Sequence, residues 1–191
     1  MVEAPPKVSL APGIENAMIM AMTQTLVIRI VCPARTGLIA AVTGHLFDIG
    51  ADLGDTAFQA VAGRAEVSAV CQLPDSVEAA ALRADLAALP DLAGGQVTVE
   101  SPHADADAQV THRIVVSGGD RPGLIARLSE VFGQYDANIV RLDANRIPGA
   151  NGGRYITRLA VTIPPARAQV CLATVVNTAG ELCLSCHWEE A

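Results

Sequence analysis

Two short segments of this chain, residues 34–38 and 120–124, carry residue types that could hold a small ligand with opposite charges. Each has an arginine two residues before a glycine. A glycine lets the backbone approach a ligand closely, and the free N–H groups at the start of a helix attract a carboxylate. The carboxylate of Asp120 could meet an ammonium group. The pattern therefore indicates binding of an α-amino acid, which presents both charges together.

A second pair of candidate residues follows each segment at the same distance. Asn138-Ile139 begins fifteen residues after Gly123, and Asp52-Leu53 fifteen residues after Gly37. The Asn138 amide can both donate and accept a hydrogen bond. We expect the later set to be the better site and the earlier set to be degenerate or differently tuned. The candidate ligand-binding residues are Asp120, Arg121, Pro122, Gly123, Leu124, Asn138 and Ile139, and in the earlier set Ala34, Arg35, Thr36, Gly37, Leu38, Asp52 and Leu53.

The same residues also have a purely structural explanation, which the sequence leaves open. A glycine between a strand and a helix can serve the geometry of the turn alone, and Asp120 could cap the following helix. Asn138 could hold its own turn, because asparagine tolerates the left-handed conformation. The two arginines could be solvated or paired with acidic neighbours.

The elements that must position these residues occur twice. Gly37 and Gly123 are 86 residues apart, and the same offset sets Ile28 on Ile114 and Leu46 on Phe132. Each copy opens with a β-branched run and continues, after the glycine, with apolar residues spaced three and four apart, as in an amphipathic helix. The chain is therefore predicted to be a duplication.

Each copy is predicted to fold as β-α-β-β-α-β, with four antiparallel strands and two helices on one face, in the α+β class. Asp75 to Glu78 have the spacing of a capping box before the second helix of copy one. The closing strands are predicted at residues 96–100 and 182–188. The domains are predicted at residues 25–100 and 111–190, with a linker over 101–110 and a disordered or overextended tail over 1–24.

Composition restricts the possible partners. The net charge is −7 and the chain has only six aromatic residues, so neither phosphate neutralisation nor base stacking supports direct nucleic-acid binding. No apolar run is long enough to span a bilayer. Five scattered cysteines and the lack of a signal-peptide pattern indicate reduced thiols and a cytoplasmic location. The uncovered sheet face of each copy favours a homo-oligomer.

Three other kinds of chemistry are expected to be absent. Cys183, Cys186 and His187 match the spacing of covalent haem attachment, but both cysteines fall on a predicted strand and would point to opposite faces, so neither a cofactor nor a metal site is predicted. Arg121 and Asn138 superficially match the phosphate grip of an acylphosphatase, but Asp120 would repel phosphate. No catalytic set appears elsewhere, so the protein is predicted not to be an enzyme.

The Asp-Arg-Pro-Gly-Leu-Ile run from Asp120, with Asn138-Ile139 after it, resembles the ACT domain, a small-molecule regulatory module of amino-acid metabolism. Two such modules with little else, here from Thr25 to Trp188, resemble the glycine cleavage system transcriptional repressor family. Copy one departs from the pattern, with Ala34, Thr36 and Asp52 in place of Asp, Pro and Asn.

The resemblance implies a non-enzymatic regulator that binds a small amino acid such as glycine at the strand-to-helix turn, usually at an interface between modules. If transcription is the output, a transcription-factor protein partner is expected to carry it. Two alternatives remain: an acylphosphatase-like enzyme on the same fold, and an interaction scaffold without a ligand.

Overall fold

The computed structural model describes residues 23–103, 109–149 and 153–191. It divides into two compact units, Met1–His103 and Ala104–Ala191. Most of the tail predicted over residues 1–24, the centre of the predicted linker and the middle of the second hairpin loop lie outside the described residues.

Both units contain the predicted order of elements. Unit 1 consists of β1 (Thr23–Pro33), α1 (Leu38–Asp48), β2 (Asp52–Val61), β3 (Arg64–Pro74), α2 (Ala79–Ala88), a 3-10 turn (Pro90–Leu92) and β4 (Gln96–Glu100). Unit 2 consists of β5 (His112–Gly118), α3 (Leu124–Gln134), β6 (Asn138–Ile147), β7 (Arg154–Thr162), a 3-10 turn (Pro165–Arg167), α4 (Ala168–Glu181) and β8 (Ser185–Glu190).

The two sheets have the same topology. Their strand orders are β2-β3-β1-β4 and β6-β7-β5-β8, and every neighbouring pair is antiparallel. Each unit is thus a split β-α-β fold, with its first strand in the interior of the sheet and its last strand at an edge. The predicted α+β class and two-copy ferredoxin-like architecture are confirmed.

Alternation along the strands and helical spacing together build one core in each unit. In β1 every second residue from Leu26 to Cys32 is buried, and these side chains meet Leu38, Val42 and Leu46 of α1. Unit 2 repeats the arrangement, with Ile114 and Val116 beneath Leu128 and Phe132. Burial of these faces is what fixes the strand register.

Three local predictions are corrected. The capping box does not form, because α2 starts at Ala79 and no side chain caps it. The last strand starts at Ser185, since α4 extends to Glu181 and Cys183 then adopts a left-handed conformation with φ +57°. Asp136, not Asn138, takes the left-handed conformation after α3, with φ +52°. No helix among the described residues has the length and apolarity needed to cross a membrane.

The glycine that precedes α1 should be required for its backbone conformation and not because space for a side chain is lacking. Gly37 has φ +85°, yet a Cβ added there would meet no atom within 4 Å. We expect Gly37→Ala to lower the free energy of unfolding by about 1–2 kcal/mol, the cost of a left-handed alanine. Gly44, inside α1, also has open space around it, so Gly44→Ala should instead raise that free energy by roughly 0.5–1 kcal/mol. Urea unfolding of both variants measures the two changes in free energy. Equal changes would contradict the requirement for glycine at position 37.

Candidate functional site

The loop from Gly118 to Gly123, which we call the unit 2 elbow, turns the chain from β5 into α3. Gly123 has φ +81° and nothing lies within 4 Å of the position of a Cβ on it. The first amide of the helical ladder is that of Arg127, which donates to the Gly123 carbonyl at 3.0 Å. Within the described residues, the amides of Ile125 and Ala126 have no acceptor, and no side chain caps the helix. The elbow is open to a ligand and offers free donors.

Asp120 does not cap α3. Its carboxylate forms an ion pair with the guanidinium of Arg146, near the end of β6. The two side chains are 42% and 66% exposed, so water screens their attraction and the pair can exchange partners at small cost. The open alternative of an aspartate cap is therefore excluded, and a negative and a positive group stand side by side at the elbow.

The two arginines that the copies share have a common structural role. Arg121 Nε donates to the Leu182 carbonyl at 3.1 Å. In unit 1, Arg35 donates through both terminal nitrogens, to Pro90 at 2.8 Å and to Ala93 at 3.0 Å. Both arginines thus tie the first loop of their unit to the segment between its second helix and its last strand. Both side chains are exposed to solvent, and neither forms an ion pair with an acidic neighbour among the described residues.

A pocket of about 210 Å³ lies on the unit 2 elbow. Its wall runs from Asp120 to Ala126 and is completed by Tyr155, which β7 brings opposite Gly118 of β5. Pro122 and Gly123 are exposed there, whereas the Leu124 side chain is buried in the core. Sequence reasoning missed Tyr155 and Arg146, because both arrive from the second hairpin.

The structure does not bring Asn138 and Ile139 to this pocket. Asn138 lies opposite Thr162 of β7, whereas the elbow lies beside Tyr155 at the other end of that strand. Seven residues of extended chain separate the two positions, or roughly 20 Å. Ile139 is half-buried against the core, and Asn138 is exposed. Within one unit, the two halves of the predicted site are therefore separate.

Unit 1 divides its candidate residues in the same way. Ala34, Thr36 and Gly37 are exposed at the elbow, and Leu38 is buried in the core. Ala34 stands where unit 2 has Asp120, so this elbow offers no carboxylate of its own. Asp52 and Leu53 instead line a separate hollow of about 530 Å³ against α1, with Ala40, Thr43, Gly44, Phe47 and Ala51.

Three of the five cysteines are core residues, Cys183 is exposed and Cys186 is half-buried. Cys32, Cys71 and Cys171 are buried and all five are free. Burial raises the pKa of the Cys71 thiol to about 11 and also raises the pKa of Cys186, which disfavours the reactive thiolate. Among the described residues, no three His, Cys, Asp or Glu side chains are grouped so as to hold a metal ion.

Comparison with known families identifies the unit that carries this elbow. The sequence model of the ACT domain family matches residues 112–169, from the first residue of β5 into α4. Unit 2 is thus similar in sequence to the ACT domain family. The matched range includes the open elbow, Asp120, Arg146 and Tyr155, so every residue that lines the pocket falls within it. No curated protein matches the chain.

Two solved structures show that the fold extends to both units. A protein of unknown function from Galdieria sulphuraria has a TM-score of 0.74 at 19% identity, over 89% of this chain and 99% of the other. A candidate glycine cleavage system transcriptional repressor has a TM-score of 0.59 at 15% identity, over 89% of this chain and 98% of the other. At these identities the likeness is one of fold, and it covers both units.

The arginine ties should contribute to stability. We expect Arg35→Ala to lower the free energy of unfolding by about 1 kcal/mol, because two charge-assisted hydrogen bonds to backbone carbonyls are lost at an exposed site. Arg83→Ala, at an exposed position of α2, is the matched control and should change it by less than about 0.5 kcal/mol. Chemical denaturation compares them, and indistinguishable variants would refute the structural role.

Proposed function

We propose that the protein is a non-enzymatic regulator whose ACT domain binds a small α-amino acid in the unit 2 elbow pocket. The observation that carries the proposal is the meeting of free helix amides with the Asp120–Arg146 ion pair at an open glycine turn. An amino acid would place its carboxylate on the amides of Ile125 and Ala126, at the positive end of α3. Its ammonium group would pair with the carboxylate of Asp120. The guanidinium of Arg146 would then be free to pair with the ligand carboxylate.

The pocket, at about 210 Å³, has room for a small amino acid such as glycine, alanine or serine. Glycine is the ligand we favour, since the fold is shared with a candidate glycine cleavage system transcriptional repressor.

Asn138 and Ile139 have a more limited place in this proposal. Because they lie at the far end of the sheet, they could contact the same ligand only if a second copy of the chain supplied them. We therefore propose that unit 2 forms the whole pocket by itself. We also propose that the protein is a homo-oligomer, and that the ligand shifts the equilibrium between two states of this assembly. A ligand shifts such an equilibrium only by its differential affinity for the two states.

The regulatory output would pass through a protein partner in control of amino-acid metabolism. A net charge of −7 disfavours direct contact with DNA. The enzymatic alternative is weaker, because Arg121 is bonded to the Leu182 carbonyl and Asn138 lies about 20 Å from the elbow along the strands. An acylphosphatase would need both groups on one phosphate.

Thermal unfolding with added amino acids tests the site. We expect glycine, alanine or serine to stabilise the protein, by about 2.7 kcal/mol at one hundred times the dissociation constant. Asp120→Asn should weaken binding about tenfold, because the ammonium group loses its counter-charge. Asp143→Asn, an exposed aspartate within β6, is the matched control and should bind as the parent does.

Two outcomes would count against the proposal. Flat unfolding curves with all amino acids would favour the ligand-free scaffold. An unchanged affinity in Asp120→Asn would remove the elbow from the site. Asn138→Ala should keep the shift, and its loss would mean that a second copy completes the pocket.

A further inference from the structure

A second concave site lies in unit 2, between α4 and the edge strand β8. This groove has a volume of about 560 Å³. On the helix side it is lined at positions 168, 169, 172, 173, 176 and 177, which is one continuous stripe at helical spacing. On the strand side it is lined by His112, Trp188 and Glu190. The groove shares no residue with the elbow pocket.

The strand register places the side chains of His112, Trp188 and Glu190 on one face of the sheet. Glu190 lies opposite His112, and Trp188 opposite Ile114, a core residue. The rings of His112 and Trp188 meet edge to face, with centroids 5.9 Å apart. A carboxylate, an imidazole and an indole therefore converge on the same apolar groove, which is typical of a ligand site.

His112 presents an unused hydrogen-bonding atom to the groove. The residue is only 8% exposed, and its Nδ1 lies 2.8 Å from the Thr111 hydroxyl. That hydroxyl also contacts the carbonyl of Val161 and accepts from the amide of Ile163. The hydroxyl has one proton, which it donates to the Val161 carbonyl, because a carbonyl can only accept. If all three contacts are kept, Nδ1 of His112 therefore donates to the hydroxyl oxygen. Nε2 is then an acceptor, and it has no partner among the described residues.

The fold does not require these residues. In unit 1 the corresponding positions are Leu26, 2% exposed, and Val99, which lies opposite Ile28 and packs against the core. The same topology is thus built there with two aliphatic side chains. The histidine and tryptophan of unit 2 are therefore not dictated by the topology.

The charges around the groove select the ligand. Glu190 is its only carboxylate, and no arginine or lysine lines it within the described part of the chain. The neighbouring Arg167 is held by the carboxylate of Asp136. The indole face attracts a cation, and Nε2 accepts an N–H bond. An anion or the carboxylate of an amino acid would find no counter-charge there.

We propose that this groove binds an organic amine, a primary ammonium group on an apolar or aromatic body without a carboxylate. The ammonium group would lie between Glu190 and Nε2 of His112, with the body along Trp188 and the α4 stripe. This site is independent of the amino-acid pocket and would give the protein a second, chemically different effector.

Trp188 is the single tryptophan of the chain, so its fluorescence reports directly on the groove. The probes are 2-phenylethylamine, 2-phenylethanol, which lacks the charge, and phenylalanine, which adds a carboxylate. We expect 2-phenylethylamine to change the emission with a saturable titration, and the other two to bind at least about tenfold more weakly.

Substitutions inside and outside the groove test whether the affinity for the amine depends on the residues that line it. Glu190→Gln should raise the dissociation constant of 2-phenylethylamine about tenfold. Glu189→Gln makes the same charge change one residue earlier, on the opposite face of the sheet, and should leave it unchanged. His112→Leu, which installs the unit 1 residue, should fold and bind weakly. An absent titration, equal binding of the alcohol, or an unaffected Glu190→Gln would overturn the proposal.

Discussion

The turn from the first strand of each unit into its first helix depends on a glycine held at positive φ. Only a residue without a Cβ takes this conformation cheaply, and it lets the next residue, Leu38 or Leu124, enter the core at once. A helix that starts in this way has no preceding side chain placed to cap it. Amides in its first turn therefore remain free at the open elbow, so the constraint that builds the fold also creates the donors of the proposed site.

The two copies have diverged around this shared frame. Unit 1 has Ala34, Leu26 and Val99 where unit 2 has Asp120, His112 and Trp188. The unit 1 residues are compatible with the same strands, helices and arginine tie. The polar and aromatic residues of unit 2 are consequently additions to a fold that does not need them, and they fall at two separate concave sites. The binding roles that we propose for unit 2 would account for this asymmetry.

Much of the fold could be predicted from the sequence, because it rests on local periodicity repeated at a constant offset. The strand and helix of residues 26–48 and 114–134 follow from alternation and helical spacing alone. The candidate site could be predicted only in part. Asn138 was grouped with the elbow by its distance along the chain, but α3 carries the chain to the opposite end of the sheet first. Strand pairing brings Tyr155 to the pocket and Arg146 to the Asp120 carboxylate. The arginine ties depend on carbonyls about sixty residues away, so no local pattern could reveal these contacts.

The most direct test of the elbow as an amino-acid site is the backbone amide NMR spectrum of the full chain with and without glycine. Ile125 and Ala126 of unit 2 have identical counterparts in unit 1, Ile39 and Ala40, which serve as an internal control. The account predicts saturable shifts of the Ile125 and Ala126 amides, with Ile39 and Ala40 unmoved. Unmoved Ile125 and Ala126 amides, or equal shifts in both units, would contradict it.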